Sequence, residues 1–264
     1  MKLKGKRVWL TGAGSGIGAA MAQQLSGVAS LLIISSLDEK ELNDLQASLG
    51  QTSTKVVMLP FDLGDAEAVK SAAQFVLETF HGVDVLINNG GISQRALVGE
   101  TTMEVDRKIM EINYFSYVQL TKLMLPPMID QGSGHIAVTS SMVGKFGFPL
   151  RSSYAASKHA LQGYFETLGL EYYNRGIRTT VALPGRINTN ISLNAISGTG
   201  EKYGEMDPGQ AKGMPAGVCA KKYLRAIEKN RWEVYIGKHE ILMIWFKRFV
   251  PGLFRKLARR VGEK

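Results

Sequence analysis

Tyr154 and Lys158 stand four positions apart in SSYAASKHAL (152–161), among small residues. On a helix, positions i and i+4 share one face. A free tyrosine has a pKa near ~10, and a cation held close favours the phenolate and lowers that value. Bringing it near ~7 takes about 4 kcal/mol. Lys158 and a second positive charge brought by a ligand could supply that in a partly dry cleft. Tyr154 could then give a proton to a carbonyl oxygen or take one from an alcohol. The pair taken alone is equally compatible with an ordinary helix carrying a half-exposed aromatic.

Other residues offer themselves to the same chemistry. Ser141 precedes Tyr154 at the end of GHIAVTSS, where a hydroxyl could bond a substrate oxygen and stabilise developing charge; its neighbour Ser140 is the rival. Asn113 sits in the apolar helical run MEINYFSYV. It reads either as a satisfied core asparagine or as an anchor for a water that relays protons to Lys158.

Positioning these groups requires a rigid frame, and the hydrophobic pattern supplies one. RVWL (7–10) and LLIIS (31–35) are apolar runs suited to buried strands, as are KVVMLPFDL, VDVLIN, GHIAVTSS and RTTVALPG. Helical spacing fills the intervals: 19–25, 39–49 with Asp38 as N-cap and Gly50 as stop, 66–80, 102–130 and 153–175. Alternating strand and helix predicts an α/β fold. It would be a single-domain, doubly wound parallel sheet of Rossmann type with helices on both faces, spanning 1–264. Ligands of such folds sit beyond the carboxyl ends of the strands.

The segments that follow the strands are small, polar or glycine-rich, as that rule requires. TGAGSGIG places Gly12, Gly16 and Gly18 between a strand and a helix. Glycines permit positive φ and close backbone approach, and the helix start offers free N–H groups to a pyrophosphate. After the second strand the chain reads Ser35-Ser36-Leu37-Asp38. An acid there would grip the ribose 2′-OH of NAD, an arginine the 2′-phosphate of NADP, and neither signal is clean. Ser36 can donate to a phosphate or a hydroxyl, and Asp38 could contact ribose or cap a helix. Asp62 could bond an adenine amine or cap the helix that starts near Asp65. Asn88 and Asn89 could satisfy loose strand-end groups or line the cleft.

Together these residues resemble the short-chain dehydrogenase/reductase family over residues 5 to about 190. TGAGSGIG is similar to its TGxxxGxG loop, FDL (61–63) to its adenine-contacting segment, and NNGG to its NNAG, with Gly90 in place of alanine. Asn113, Ser141, Tyr154 and Lys158 match its catalytic tetrad, and PGRINT (184–189) resembles its PGxxxT. The resemblance implies hydride transfer between nicotinamide C4 and a carbonyl carbon. Tyr154 would be the acid/base, Lys158 would hold the nicotinamide ribose, Ser141 would orient substrate and Asn113 would support a proton relay. It implies cofactor contacts from Gly12, Ser15, Gly16, Ile17, Gly18, Ser36, Asp62, Leu63, Asn89, Gly90, Tyr154, Lys158, Pro184, Gly185, Ile187 and Thr189, and no metal. NNGGISQRAL and SSYAASKHALQGYF are similar to a carbonyl, retinoid and steroid reductase subgroup with membrane-associated members. That subgroup carries a basic residue where Leu37 stands, yet the lean is toward NADP(H) over NAD(H). A homodimer or homotetramer and a lipophilic carbonyl or alcohol substrate are further implications, with 190–216 closing over substrate as a mobile loop.

Composition narrows the alternatives. With 264 residues, 45% hydrophobic, the chain can bury a large core, and Cys219 as sole cysteine excludes an intramolecular disulfide. This fits a reducing, cytoplasmic setting; the opening apolar run is too short for a signal-peptide core. Net charge is +9, much of it in Lys247, Arg248, Arg255, Lys256, Arg259 and Arg260. Residues 240–260 interleave these cations with Phe249, Leu253, Phe254 and Leu257. The stretch reads as a basic amphipathic extension, either at a membrane surface or packed on the core or a partner subunit. Pro251-Gly252 would break a continuous helix there. A nucleic-acid partner is not expected, since no binding motif occurs. A non-catalytic dinucleotide sensor or scaffold is the remaining rival.

Overall fold

The computed structural model describes the backbone of residues 1–262 and side chains through Arg259. Arg260 of the basic tail therefore lies outside the described side chains, and residues 263–264 lie outside the described residues altogether. The elements run β1 (Arg7–Thr11), α1 (Gly16–Leu25), β2 (Leu31–Ser35), α2 (Glu39–Leu49), β3 (Lys55–Met58), α3 (Ala66–Phe80), β4 (Val85–Asn88), α4 (Met103–Met110), α5 (Ser116–Asp130), β5 (Gly134–Thr139) and α6 (Ser152–Glu171). They continue with β6 (Ile177–Pro184), β7 (Ile187–Asn188), α7 (Pro208–Ala211), β8 (Met214–Pro215), α8 (Ala216–Glu228), β9 (Glu233–Ile236), α9 (Leu242–Phe249) and α10 (Pro251–Gly262).

Seven strands form one sheet in the order β3-β2-β1-β4-β5-β6-β9, parallel at every pairing. The order reverses between β1 and β4, which opens a crevice at their carboxyl ends. Strand alternation divides the core. Val8 and Leu10 face α1, α2 and α8, through Met21, Leu42 and Tyr223. Trp9 faces α3, α5 and α6, through Val76, Tyr117 and Phe165. Both faces of the sheet are thus covered, which explains why β2, β4 and β5 are buried end to end.

Some boundaries differ from the sequence pattern. The third strand ends at Met58, so FDL is loop; Pro60, with no N–H to donate, helps end the ladder. The long pattern over 102–130 is two helices joined by a π-bulge at Glu111–Phe115, and Asn113 lies in that bulge. The pattern over 153–175 is α6 followed by a tight turn at Tyr173–Arg175. Asp38 caps α2 by accepting from the N–H groups of Lys40 and Glu41 at 2.8 and 3.2 Å. Asp62 caps no helix; Asp65 does so for α3, and Asp62 accepts from the Gly64 N–H at 2.7 Å.

Segment 190–216 is tied down at several points. Ile196 exchanges backbone hydrogen bonds with Ser93 and Arg95, each at 2.9 Å, and β7 pairs with β8. At the C-terminus, the chain breaks between α9 and α10 at Val250, and Pro251 takes the first turn of α10.

Candidate active site

The glycine loop owes its shape to backbone geometry. Gly12 and Gly16 have φ of +61° and +55°, a region closed to most side chains. A Cβ on Gly12 would strike the Gly90 backbone, and one on Gly16 would meet Thr189 Cγ2 at 3.0 Å. Ser15 is the N-cap residue of α1 but its side chain makes no capping bond, so the first N–H groups of the helix remain available. Asn89 stitches three strand ends: its Nδ2 donates to the Gly12 and Thr11 carbonyls at 3.1 and 3.3 Å, and its Oδ1 accepts from Thr139 Oγ1 at 3.0 Å.

These elements bound a cleft of about 520 Å³. Gly12, Ser15, Gly16, Ile17, Ser36, Asp62, Leu63, Asn89, Gly90 and Thr189 all line it, so most of the predicted dinucleotide contacts share one space. Six do not line it: Tyr154 and Lys158, described below, and Gly18, Pro184, Gly185 and Ile187. A side chain on Gly18 would collide with the Gly12 carbonyl, so this glycine serves close helix–strand packing. Ile187 is buried in β7. The Pro184 carbonyl accepts from Ser141 Oγ at 3.4 Å, and the Gly185 N–H donates to Ile236 at 2.9 Å. The donor set suits a dinucleotide: glycine backbone and a helix start for phosphates, polar side chains toward the riboses.

The groups considered for proton transfer do not line this cleft, and Lys158 reaches it through Thr139, which does. Lys158 is 3% exposed, and its Nζ donates to the Thr139 carbonyl at 2.9 Å. No ion pair among the described residues involves it. Burial therefore pulls its pKa down to about 7. The nitrogen sits 5.7 Å from the Tyr154 ring centre and 5.5 Å from that of Tyr117. For Tyr154, burial raises the pKa, while the Ser141 hydroxyl and the charges of Arg95 and Arg151 pull it back. For the protein alone, burial outweighs the pull of the two arginines on the phenol.

The two serines differ in their contacts. Ser140 Oγ is buried and donates to the Lys158 carbonyl at 2.9 Å, a structural bond. Ser141 acts on the Tyr154 phenol. Asn113 is fully buried and satisfied: Oδ1 accepts from the Ile92 N–H at 2.9 Å, and Nδ2 donates to the Ile92 carbonyl at 2.9 Å and Ser157 Oγ at 3.1 Å. A Cβ on Gly91 would lie 2.7 Å from Asn113 Oδ1 and 3.6 Å from Lys158 Nζ, so the bare glycine lets the chain pass close to both side chains.

Three features escaped the sequence. Asp207 of the 190–216 segment pairs with Arg95 at 2.6 Å and with Arg151 at 2.7 Å, beside Tyr154. Burial alone would raise its carboxyl, but the guanidiniums hold it below the usual range. The partners of the tighter pair lie 112 residues apart, so no local pattern could announce them. Glu41 and Lys202 also line the cleft. Glu41 falls beside Ser36 and the bare face of Gly14, where a Cβ would meet Glu41 Cβ at 2.8 Å and Ser36 Oγ at 3.0 Å. Burial and the neighbouring Asp38 charge raise the Glu41 pKa. Its place in the i+3 turn after Asp38 was the available hint.

The geometry agrees with comparisons to known proteins. The model of the short chain dehydrogenase family matches residues 6–198. Dehydrogenase/reductase SDR family member 7B of Mus musculus is 39% identical, across 99% of this chain and 83% of the mouse protein. A short chain dehydrogenase/reductase from Burkholderia phymatum, solved in complex with NAD, superposes with a TM-score of 0.83 at 22% identity, covering 96% of each chain. A gluconate 5-dehydrogenase homologue from Beutenbergia cavernae, solved with NADP at low occupancy, does so at 0.69 and 29% identity, covering 73% of this chain and 76% of its own. A seven-stranded parallel sheet, a glycine loop at its switch point and a family match over residues 6–198 lead to one conclusion: the chain belongs to the short-chain dehydrogenase/reductase family of oxidoreductases.

Proposed function

We propose that the protein interconverts a carbonyl and an alcohol on a small, lipophilic substrate, with Tyr154 moving the proton. A bound nicotinamide dinucleotide supplies or accepts the hydride. The observation that carries the reading is Lys158: a buried amine with no carboxylate partner among the described residues, one helical turn from Tyr154 and bonded to the carbonyl of Thr139, which lines the cleft. A structural lysine would be paired or exposed; an unpaired one is arranged for a ligand's hydroxyls. Ser141 then steadies the substrate oxygen, and Asn113 holds the backbone at Ile92 against the lysine's surroundings. Ile92, Ile112 and Ile191 give the cleft an apolar side, in keeping with a lipophilic substrate.

The lining favours NAD(H), against the NADP(H) lean of the sequence. Glu41 and Asp38 bring two acids to the end where Ser36 lies, and Leu37 is exposed and uncharged. A 2′-phosphate there would meet like charge, whereas a carboxylate accepts hydrogen bonds from ribose hydroxyls.

A thermal-shift titration with NAD(H) and NADP(H) tests both parts, on the wild type and on Tyr154→Phe. Ligand binding to the folded state raises Tm. Stabilisation by NAD(H) above NADP(H), preserved in Tyr154→Phe while turnover disappears, is expected. No shift with either dinucleotide would sink the reading. Turnover retained by Tyr154→Phe would remove the tyrosine from the chemistry. Cofactor binding with no turnover by the wild type, across carbonyl and alcohol panels, would favour a sensor.

A further inference from the structure

The C-terminal helices have two unlike faces. Phe254 and Ala258 of α10 are buried against Met142 and Phe146, joined by Met243, Ile244 and Phe246 of α9. This inner face anchors the pair to the segment that follows Ser141. The outer face is apolar yet uncovered: Trp245 is 54% exposed, Phe249 64%, and Leu242, Val250 and Leu253 accompany them. Trp245 and Phe249 stack with centres 5.6 Å apart, so the exposed rings form a single ridge.

The charge around that ridge is of one sign. From Ile241 to Gly262 there is no acidic residue, while Lys247, Arg248, Arg255, Lys256 and Arg259 fall among the apolar positions. None of these cations forms an ion pair among the described residues. Lys247 donates to the Lys145 carbonyl at 2.6 Å, and Arg248 lies 5.9 Å from the Phe249 ring centre.

We propose that this face docks on an anionic phospholipid surface. Apolar side chains among unpaired cations match the two terms of interfacial binding, burial of apolar area and attraction to acidic headgroups. An exposed tryptophan suits the boundary, where an apolar ring meets water through its N–H. A second copy of the chain fits less well. A two-fold interface sets each patch against itself, so arginine would face arginine. Protein interfaces in general lose charge at their centres, whereas here cations interrupt the apolar ridge. No described helix is long and apolar enough to cross a bilayer, which leaves the surface as the contact. Because the inner face rests on Met142 and Phe146, docking holds the Ser141 side of the active site close to the lipid.

The test is co-sedimentation of the full chain with vesicles of phosphatidylcholine alone and of phosphatidylcholine with phosphatidylserine in equal parts. Binding to the mixed vesicles, and release as salt rises, is expected. Trp245→Glu with Phe249→Glu should weaken partitioning about tenfold or more. Arg248→Glu with Arg255→Glu, which leaves the packed face untouched, should weaken binding to mixed vesicles by a similar factor of about ten. Melting temperature and its rise with dinucleotide, measured on each variant, confirm folding and keep docking separate from hydride transfer. Absence of sedimentation would overturn the proposal, as would equal binding to neutral vesicles or undiminished binding by the aromatic variant. If sedimentation velocity showed a wild-type dimer that the aromatic variant splits, with no vesicle binding, the face would belong to a second copy instead.

Discussion

Two buried cationic sites flank Tyr154, and they are built on opposite plans. Lys158 has a carbonyl for company and no acid among the described residues, and burial brings its pKa to about 7. Arg95 and Arg151 share Asp207 at 2.6 and 2.7 Å. The arginine pair is tied down: both guanidiniums hold one carboxylate within the protein, and together they pin the 190–216 segment to the start of α6. The lysine is unpaired among the described residues, its one hydrogen bond there going to the Thr139 carbonyl. A charge paired within the fold suits architecture, and an unpaired buried one marks a candidate ligand site.

The sharpest way to break this contrast is at the residue between the two sites. Tyr154→Phe should lower kcat by about a thousandfold, the range expected for a lost general acid or base, while dinucleotide stabilisation persists. If kcat survives, neither cationic site is arranged around a proton donor.

Lys158→Met comes next, and its signature is a pH slope. The folded value is about 7 and the ordinary value 10.5, so between them the unfolded chain holds a proton that the folded chain has released. Stability from this group therefore rises with pH across that window and is lost as pH falls toward 7. Methionine removes the slope. Urea unfolding should find the variant more stable near pH 7, by up to about 4 kcal/mol, with the two chains converging as pH rises. Parallel curves would mean that the lysine is charged and satisfied within the protein. Dinucleotide affinity should fall in the same variant.

Asp207→Asn probes the paired site. It leaves two arginines facing each other and should cost about 2 kcal/mol, below the ~3–5 of a fully buried pair because Asp207 keeps some exposure. The folded carboxyl is held low, so its contribution is present above the ordinary carboxylate range and is lost as pH falls through the folded value. Unfolding at pH 7 and in acid should show the gap between variant and wild type closing in acid. The loss of an anion near Tyr154 should also move the alkaline limb of the rate profile toward lower pH.

The smallest effect belongs to Asp38, an acid answered by the backbone alone. Asp38→Ala removes the α2 cap and should cost about 1 kcal/mol in a denaturant melt. A loss of NAD(H) affinity larger than that would show that the carboxylate also reads the ribose.

Much of this was legible before the fold was known, and for a local reason. Strand and helix periods, the glycine loop, the caps at Asp38 and the pairing of Tyr154 with Lys158 on one helical face each depend on neighbours within a few residues. Such signals announced the parallel sheet, and ten of the residues expected to contact a cofactor line one cleft. Local signals also misled. Asp62 looked like a cap until Asp65 took that role, and Ser140 was indistinguishable from Ser141 until its hydroxyl turned to the Lys158 carbonyl.

The tertiary structure decided what depends on distance in the chain. Sequence determined that a tyrosine and a lysine share a helix face; only packing determined that the lysine is buried without an acid, which moves its proton. Sequence supplied Arg95, Arg151 and Asp207 as ordinary charges in three separate segments, and the folded chain made them a single clasp. It also chose the inner and outer faces of α9 and α10, because periodicity gives a helix a stripe but not the surface that covers it. Hydrogen bonds to neighbours are written in the order of residues, whereas desolvation and charge pairing are set by what the fold brings together in space.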